Sequence, residues 1–599
     1  MRLKKKPYHF GDFIFLYFKC APIYTLLSLL RNLLEALMPA LQVLITALFI
    51  DTAISIFNGN AERDAIYLPL LYILLTIVWS NLTGIVSNLI QVRIDARRIE
   101  LFRTALLDKR ARLEYKHIED NETWELTVRV CNDSDGRMSS GFSCLIGFIT
   151  LLITIFSLLS IIVAEIWWAG LAIIGFSIPL FFIAYKSGKN SYQANKDAQK
   201  HSRRAGYLMG VMTGRENIEE RTLFRYTNEL NKQWYEKYES ARKINQKVKA
   251  INFAKMKISG LITLAISTGI ATILIFPLES GAITVGMFAG LITATFRLVQ
   301  TLSWNMVSMI IQFVENNEYL KELTMFAALS EREGATDLPV DKNDFKLERI
   351  EFQSVTFTYP GTERVILQDF NLIIEAGRHY AFVGVNGAGK TTVTKLLCGL
   401  YDNYEGEILI NNKNLRDFTL SELKSLISVV YQDFAKYYIP LYNSITLGDV
   451  NAMGGTPNDA RFTDVLHTME LNEAVDKLPQ GVNTWLGKIK TDGVDLSGGE
   501  WQRVAIARSL YSRAVVRILD EPTAALDPLA ESNVYKMFGQ ISQGQTTIFI
   551  THRLGAARLA DIIVVIDDGC VNETGTHEEL MQQNGLYASM FDTQRSWYQ

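Results

Sequence analysis

The chain has 599 residues, 48% of them hydrophobic and 21% charged, and a formal net charge of −3. Such a length exceeds what one hydrophobic core supports, so several domains are expected. The near-balanced charge singles out no partner, and nucleic acid is not among those expected; the widely spaced Cys20, Cys131, Cys144, Cys398 and Cys570 indicate neither a disulfide framework nor a zinc cluster.

Up to about residue 320 the chain is built from long uncharged apolar runs. A helix needs about 20 apolar residues to cross a bilayer, and six runs meet that length: Ala21 to Ile50, Tyr67 to Ile90, Phe142 to Ala164, Trp167 to Tyr185, Ile258 to Phe276 and Thr284 to Ile311. Arg31 and Glu35 stand four apart within the first, the spacing of a mutually paired couple on one helix face. Trp167 and Trp168 open the fourth, where indole rings favour the membrane interface. Basic residues crowd the start, MRLKKKP, and the connection after the second run, whereas Arg63 is the only one between Asp51 and Leu68. Both termini of an integral, multi-pass protein are therefore expected on the cytoplasmic side of the plasma membrane, with no cleavable signal peptide.

Two charged connections poor in proline and glycine, Arg93 to Gly141 and Lys186 to Ala250, predict helices that run out and back. Each arm reaches about 35 Å at about 1.5 Å per residue. Turns are expected at Tyr115 to Asn121 and Arg215 to Arg221. In the sixth run Arg297, Thr301, Asn305, Ser308 and Gln312 share one helical face. An intramembrane arginine marks a candidate substrate cavity, here with Thr301 and Asn305, and an internal ion pair explains Arg297 equally well. Ser259, Thr263 and Ser267 form a weaker stripe that reads as helix–helix hydrogen bonding.

The polar, aperiodic stretch 330–344 predicts a linker between a membrane domain, 1–329, and a soluble domain, 345–599. After strand-like segments at Ile350 to Tyr359 and Gly377 to Val383 comes Gly384-Val385-Asn386-Gly387-Ala388-Gly389-Lys390-Thr391, then Thr392 and a helix-like run to Leu400. In this G-x-x-x-x-G-K-[ST] loop, backbone amides close around a phosphate chain, Lys390 meets the outer phosphates and Thr391 offers its hydroxyl to Mg²⁺. Alone, the loop fits kinases, GTPases, helicases and transporters. Further on, a strand-like run ends in Asp520 and Glu521. At that place beside a phosphate loop the first acid suits Mg²⁺, and the second suits orienting or deprotonating water. Arg517 within the run predicts a face partly open to solvent. The fold class is an all-α polytopic membrane domain with long cytoplasmic extensions, followed by an α/β P-loop nucleotide-binding domain.

Leu496-Ser497-Gly498-Gly499-Glu500 opens another helix-like run, with a serine and two glycines placed to offer amides and a hydroxyl to an anion. This string resembles the LSGGQ signature of the ATP-binding cassette (ABC) family, and the order of motifs resembles that family over the whole chain. The resemblance implies that Tyr359, 25 residues before Gly384, stacks on adenine and that Gln432 in VVYQD senses Mg²⁺ and the attacking water. It further implies that Asp520 holds the metal, Glu521 is the catalytic base, Ala525-Leu526-Asp527 form the D-loop, and His552 in ITHR meets the γ-phosphate.

Six spans before one nucleotide domain resemble an exporter-type half-transporter of the type IV fold. Two halves, more readily identical than different, would sandwich ATP between the phosphate loop of one and Ser497, Gly498, Gly499 and Glu500 of the other. The stretches around Ile118 and Ile218 would be the coupling helices. The expected function is ATP-driven export by alternating access of a peptide, lipid, drug or saccharide; a lipid flippase, an importer and an ATP-gated channel share the fold. Glu500 replaces the commoner glutamine, Ala524 the commoner serine, and Lys490 to Asp495 departs from the usual TEVGERG. A first span beginning near residue 21 leaves no room for an N-terminal peptidase domain, which disfavours a processing peptide exporter.

Overall fold

A computed structural model describes residues 2–165, 167–214, 217–301, 305–340, 345–453, 459–488, 491–521 and 545–596. It divides into two compact units, one of Met1–Lys109 with Glu125–Ala328, the other of Arg110–Trp124 with Leu329–Gln599.

The first unit is helical. After α1 (Phe10–Cys20) and α2 (Pro22–Phe57), α3 (Tyr67–Arg98) runs through a π-turn at Ile99–Arg103 into α4 (Thr104–Arg112). A four-residue tip, α5 (Lys116–Glu119), belongs to the second unit, and α6 (Asn121–Asn132) leads into α7 (Ser134–Glu165). Then follow α8 (Trp167–Thr213), α9 (Ile218–Phe224), α10 (Thr227–Ile273), α11 (Ile275–Glu279), α12 (Val285–Gln300) and α13 (Met306–Ala328). With 47 residues each, α8 and α10 are about 70 Å long, over twice the hydrocarbon thickness. The predicted extensions are therefore continuous with the spans; the helix breaks on either side of the short α5, at 113–115 and at Asp120, and at Gly214, and residues 215–216 of the second expected turn lie outside the described residues.

The six apolar runs fall on α2, α3, α7, α8, α10 with α11, and α12 with α13. Among the described residues, Pro22–Phe57, Arg63–Arg112 and Ser134–Glu165 are by themselves long and apolar enough to cross a membrane. Small and branched side chains of α2, Ala40 and Val43, pack with Leu151 and Leu158 of α7 and Leu291 and Ala294 of α12. Leu30, Leu74 and Leu82 stay exposed, as lipid-facing side chains do. Asp51, at the end of α2, fastens α12: its carboxylate accepts from Gly286 N at 2.7 Å and from Thr284 Oγ1 at 2.6 Å.

Arg31 and Glu35 are paired at 3.5 Å, and Arg31 also donates to Ser87 Oγ at 2.6 Å. The side chains of Ser259 and Thr263 lie outside the described residues, and Ser267 is buried.

The second unit holds two sheets. An antiparallel one has the order β2-β1-β4-β5, from β1 (Arg349–Thr358), β2 (Val365–Glu375), β4 (Glu405–Ile410) and β5 (Lys413–Asn414). The other has the order β10-β9-β3-β8-β7-β6, from β3 (His379–Val383), β6 (Ile427–Val430), β7 (Val516–Asp520), β8 (Thr546–Ile550), β9 (Ile562–Asp567) and β10 (Cys570–Gly575). All of its pairings are parallel except β9 with β10. β7 and β8 are buried throughout, as parallel strands covered on both faces must be. Val393, Leu396 and Leu397 of α14 (Lys390–Leu397) share one buried core with Ile350 and Phe352 of the antiparallel sheet and Ile518 and Ile548 of the parallel one. The opposite face is covered by α19 (Gly498–Tyr511), which follows α15 (Leu420–Leu426), α16 (Leu441–Thr446), α17 (Ala460–Thr468) and α18 (Asn472–Asp476).

One expectation changes. Arg517 does not lie at an open face; it is 4% exposed, beneath the end of α19, where Nη2 reaches Leu510 O at 3.5 Å. Burial pushes its guanidinium down to about 10, and the like charge of Arg461 adds to that. The predicted linker is held by hydrogen bonds along 330–340. Arg332 N donates to Arg112 O at 2.8 Å, and Lys424 Nζ donates to Ala335 O at 2.6 Å and Asp337 O at 3.0 Å, so this stretch is strapped along the second unit. Residues 341–344 lie outside the described residues.

Candidate active site

Parallel pairing aligns the C-terminal ends of β3, β6, β7 and β8, and the loops leaving those ends carry the predicted chemistry. Gly384 leaves β3, Gln432 follows β6, Asp520 and Glu521 end β7, and His552 follows β8.

The phosphate loop depends on its glycines. Gly384 has φ 145° and packs so closely on β9 that a Cβ would lie 2.0 Å from Ile566 O; Gly389, φ 104°, would put one 2.7 Å from Leu367 Cδ2. Only glycine meets both demands. Gly387 also has positive φ, Asn386 is exposed, and Ala388 is buried against the core between the sheets. Gly389 then caps α14, whose first amides and dipole point where an anion would rest. Lys390 is 5% exposed and folds back onto the loop, donating to Gly384 O and Val385 O, each at 2.9 Å. Burial pushes its ammonium down, against the upward pull of Glu521 and Asp520.

Asp520 is 5% exposed. Burial raises its carboxyl, opposed by a hydrogen bond from the Thr391 hydroxyl. A hydroxyl beside a carboxylate is the hard oxygen donor set that Mg²⁺ prefers. Glu521 adopts φ 47° and donates its N–H to Ile550 O at 3.1 Å, which turns it across the ends of β7 and β8. A non-glycine residue in that region is strained, and such strain concentrates at functional sites. Its Oε1 lies 2.7 Å from His552 Nε2. Burial, helped by the charge of Lys390, pushes the His552 imidazole down, so near neutrality it is uncharged and donates its Nε2–H to Glu521. Gln432 is exposed, two residues beyond β6 and beside the β7 edge through the Val430–Leu519 pair.

Tyr359, just past β1, is fixed by its hydroxyl at 3.0 Å from Thr392 Oγ1, which ties the predicted adenine platform to the phosphate-loop helix. The signature string starts α19 as a capping box. Glu500 N donates to Ser497 Oγ at 3.3 Å, and Glu500 Oε2 accepts from Ser497 N and Oγ, each at 2.8 Å. Burial pushes the Glu500 carboxyl up, yet the Ser497 bonds outweigh it and hold the group below its usual range. Ser497 and Gly498 are exposed and Gly499 and Glu500 half-buried, and among the described residues no hydrogen bond joins them to the phosphate loop. The structure thus groups Gly384 to Thr392, Tyr359, Gln432, Asp520, Glu521 and His552 at one sheet edge but leaves Ser497 to Glu500 apart. The D-loop, Ala525 to Asp527, lies outside the described residues.

Of the candidate cavity residues, Arg297 is half-buried and donates from Nη1 to Gln42 Oε1 at 2.7 Å. Its described partner is a neutral amide, so the ion-pair reading finds no carboxylate. Thr301 ends α12 and Asn305 precedes α13; the stripe between them runs through 302–304, outside the described residues.

Two family models match: the ABC transporter transmembrane region over residues 23–302 and the ABC transporter domain over residues 367–524. A lipid A-core flippase of Cupriavidus pinatubonensis is 32% identical over 71% of this chain and 70% of its own. The chain belongs to the ABC transporters. Other relatives in the family are the subtilin transport ATP-binding protein of Bacillus subtilis, 29% identical over 82% of this chain and 79% of its own, and the nisin transport ATP-binding protein of Lactococcus lactis, 25% identical over 96% and 94%. A solved bacterial Atm1-family ABC exporter with ATP bound superposes with a TM-score of 0.73 over 94% of this chain and 98% of its own, at 24% identity, and so shares the fold. This ABC transporter is an exporter-type half-transporter, a membrane-spanning helical region fused to one nucleotide-binding domain, and it couples ATP hydrolysis to transport.

Sequence reading missed two residues beside this site, Lys395 and Tyr401. Lys395 follows Thr391 by four residues on α14, a one-face spacing that was available as a signal; nothing in the sequence marked Tyr401.

Proposed function

We propose that two copies of this ABC transporter assemble in the plasma membrane, with nucleotide domains in the cytoplasm, and export an amphiphile that carries an anionic group. The observation that carries the ATP chemistry is the gathering of Lys390, Asp520, Glu521 and His552 at one sheet edge, with Ser497 and Glu500 elsewhere on the domain. That separation suits a composite site completed by the second copy's signature string. Thr391 and Asp520 hold Mg²⁺, which supplies charge neutralisation at the triphosphate; Glu521 orients or deprotonates the attacking water. ATP drives the change because it binds the closed dimer more tightly than the open one. Arg297, hydrogen-bonded to neutral Gln42 in a membrane helix, retains charge for an anionic cargo group. By name, relatives of this chain transport subtilin and nisin or flip lipid A-core.

Inside-out proteoliposomes supplied with ATP test this reading, using fluorescent anionic lipids in one arm and amphiphilic peptides in the other. ATP-dependent movement that Arg297→Ala weakens, with basal ATPase intact, is expected. Movement unaffected by that substitution removes the cargo assignment, and downhill ionic current without accumulation removes export in favour of a channel.

A further inference from the structure

The chain leaves the helical unit at Lys109, contributes Arg110–Trp124 to the nucleotide-binding unit, and re-enters the helical unit at Glu125. Whatever holds this tip therefore acts, through covalent bonds, on the ends of α4 and α6. The tip is stitched to the connecting strap by backbone bonds, Arg332 N to Arg112 O at 2.8 Å and Glu114 N to Ser330 O at 3.3 Å. Its end is held differently.

Glu119 Oε1 receives Lys395 Nζ at 2.7 Å, and its other oxygen, Oε2, accepts from the Tyr401 hydroxyl. Lys395 Nζ also lies 5.6 Å from the ring centre of Tyr115 and 5.3 Å from that of Tyr359. Both rings meet Tyr401 edge-on at 5.5 Å. Three aromatic rings thus surround one ion pair, which leaves the ammonium satisfied by a carboxylate and two π-faces. Burial pushes the Glu119 carboxyl up, but Lys395 and Tyr401 pull it below its usual range. Burial pushes Lys395 down, but Glu119 pulls it above its own. The pair is charged across the neutral range.

Lys395 is on α14, one turn beyond Thr391 and on the same face, and its neighbour Tyr359 is bonded to Thr392. The helix that receives the phosphates and the side chain that grips the tip are one rigid element. We infer that the Glu119–Lys395 ion pair within the Tyr115, Tyr359 and Tyr401 rings is the contact that passes phosphate-loop occupancy to the cytoplasmic tip, with Lys395 as a positioning residue. It rests on the ATP-driven reading above and names the side chains that couple the two.

The test uses the full chain in nanodiscs, with spin labels at Asn60→Cys in a background lacking native cysteines. Glu119→Lys and Lys395→Glu are compared with the combined charge swap. Each single variant is expected to bind a fluorescent ATP analogue within about twofold of the parent while losing at least about fivefold in the amplitude of the ATP-driven distance change. The swap is expected to restore that amplitude, which a purely structural role would not do. Glu119→Gln and Lys395→Gln provide milder breaks should a reversed charge prevent folding. Single variants that keep the full distance change overturn the inference, as does a swap that leaves it lost. A parent protein that binds no ATP removes the ATP-driven reading, and this inference with it; normal ATP binding and turnover with unaffected variants removes the inference alone.

Discussion

His552 Nε2 and Glu521 Oε1 lie 2.7 Å apart, so the imidazole holds the candidate base. Under the proposed function, a γ-phosphate would compete for the imidazole N–H and free the carboxylate for water. Glu521→Gln keeps the shape and removes the base, so ATP binding should survive while phosphate release falls by about 10²–10⁴-fold. Turnover within tenfold of the parent, measured on purified protein in nanodiscs, would assign the base elsewhere.

Acidification acts on the same contact. The His552 pKa is depressed, so the contribution of its neutral form is present in full above the ordinary histidine value of about 6.5 and is lost as pH falls through the lower value that the folded protein imposes. Protonation also turns the contact into an ion pair that pins Glu521. ATPase activity should therefore hold at about pH 6.5 and drop reversibly only at more acid pH, and a loss already complete above about pH 6.5 contradicts the assignment.

Glu500 ties up the Ser497 hydroxyl and adds a negative charge at the mouth of α19. If that helix end faces the partner's triphosphate, Glu500→Gln should tighten ATP binding by about threefold, the size of an exposed charge interaction of about 0.6 kcal/mol. The capping geometry survives because an amide oxygen also accepts from Ser497 N. Weaker ATP binding by titration calorimetry is the opposite outcome.

In the helical unit, a Cβ on Gly286 would lie 2.2 Å from Ala47 O, a backbone atom. Gly286→Ala should force α12 off α2 at a cost of about 1–3 kcal/mol. Asp51→Ala removes only the carboxylate that caps α12 and should cost about 1 kcal/mol. Thermal unfolding in detergent orders the two; equal midpoints would mean that the helices part without strain.

Arg517 is buried, and among the described residues its Nε and Nη1 have no acceptor. Buried charges without partners are often replaced by apolar groups at a gain of about 1–4 kcal/mol. Arg517→Met should raise the unfolding midpoint of the nucleotide domain. A lowered midpoint would reveal an acceptor contributed by some other part of the protein.

Much of the candidate site was legible in the sequence because its requirements are local. Gly384, Gly389, Lys390 and Thr391 are bound to one another by a turn and a helix start, and strand-end acids announce themselves as apolar runs that stop in charge. The six apolar runs were legible for a similar reason, since a bilayer demands unbroken length. Arg517 misled, because the covering helix α19 comes from elsewhere in the chain and its proximity has no sequence period. The bonds that hold the 330–340 stretch to Arg112 and Lys424 were not legible either, because sequence distance conceals them.

By itself, then, the sequence determined the membrane half, the phosphate loop, the strand-end carboxylates and the family, each encoded in short spacings or in composition. Tertiary structure alone decided that His552 grips Glu521, that Arg297 meets Gln42 and that Glu119 reaches Lys395. These pairs are separated by 31, 255 and 276 residues, and packing, not local propensity, chooses which distant side chains share a few ångströms.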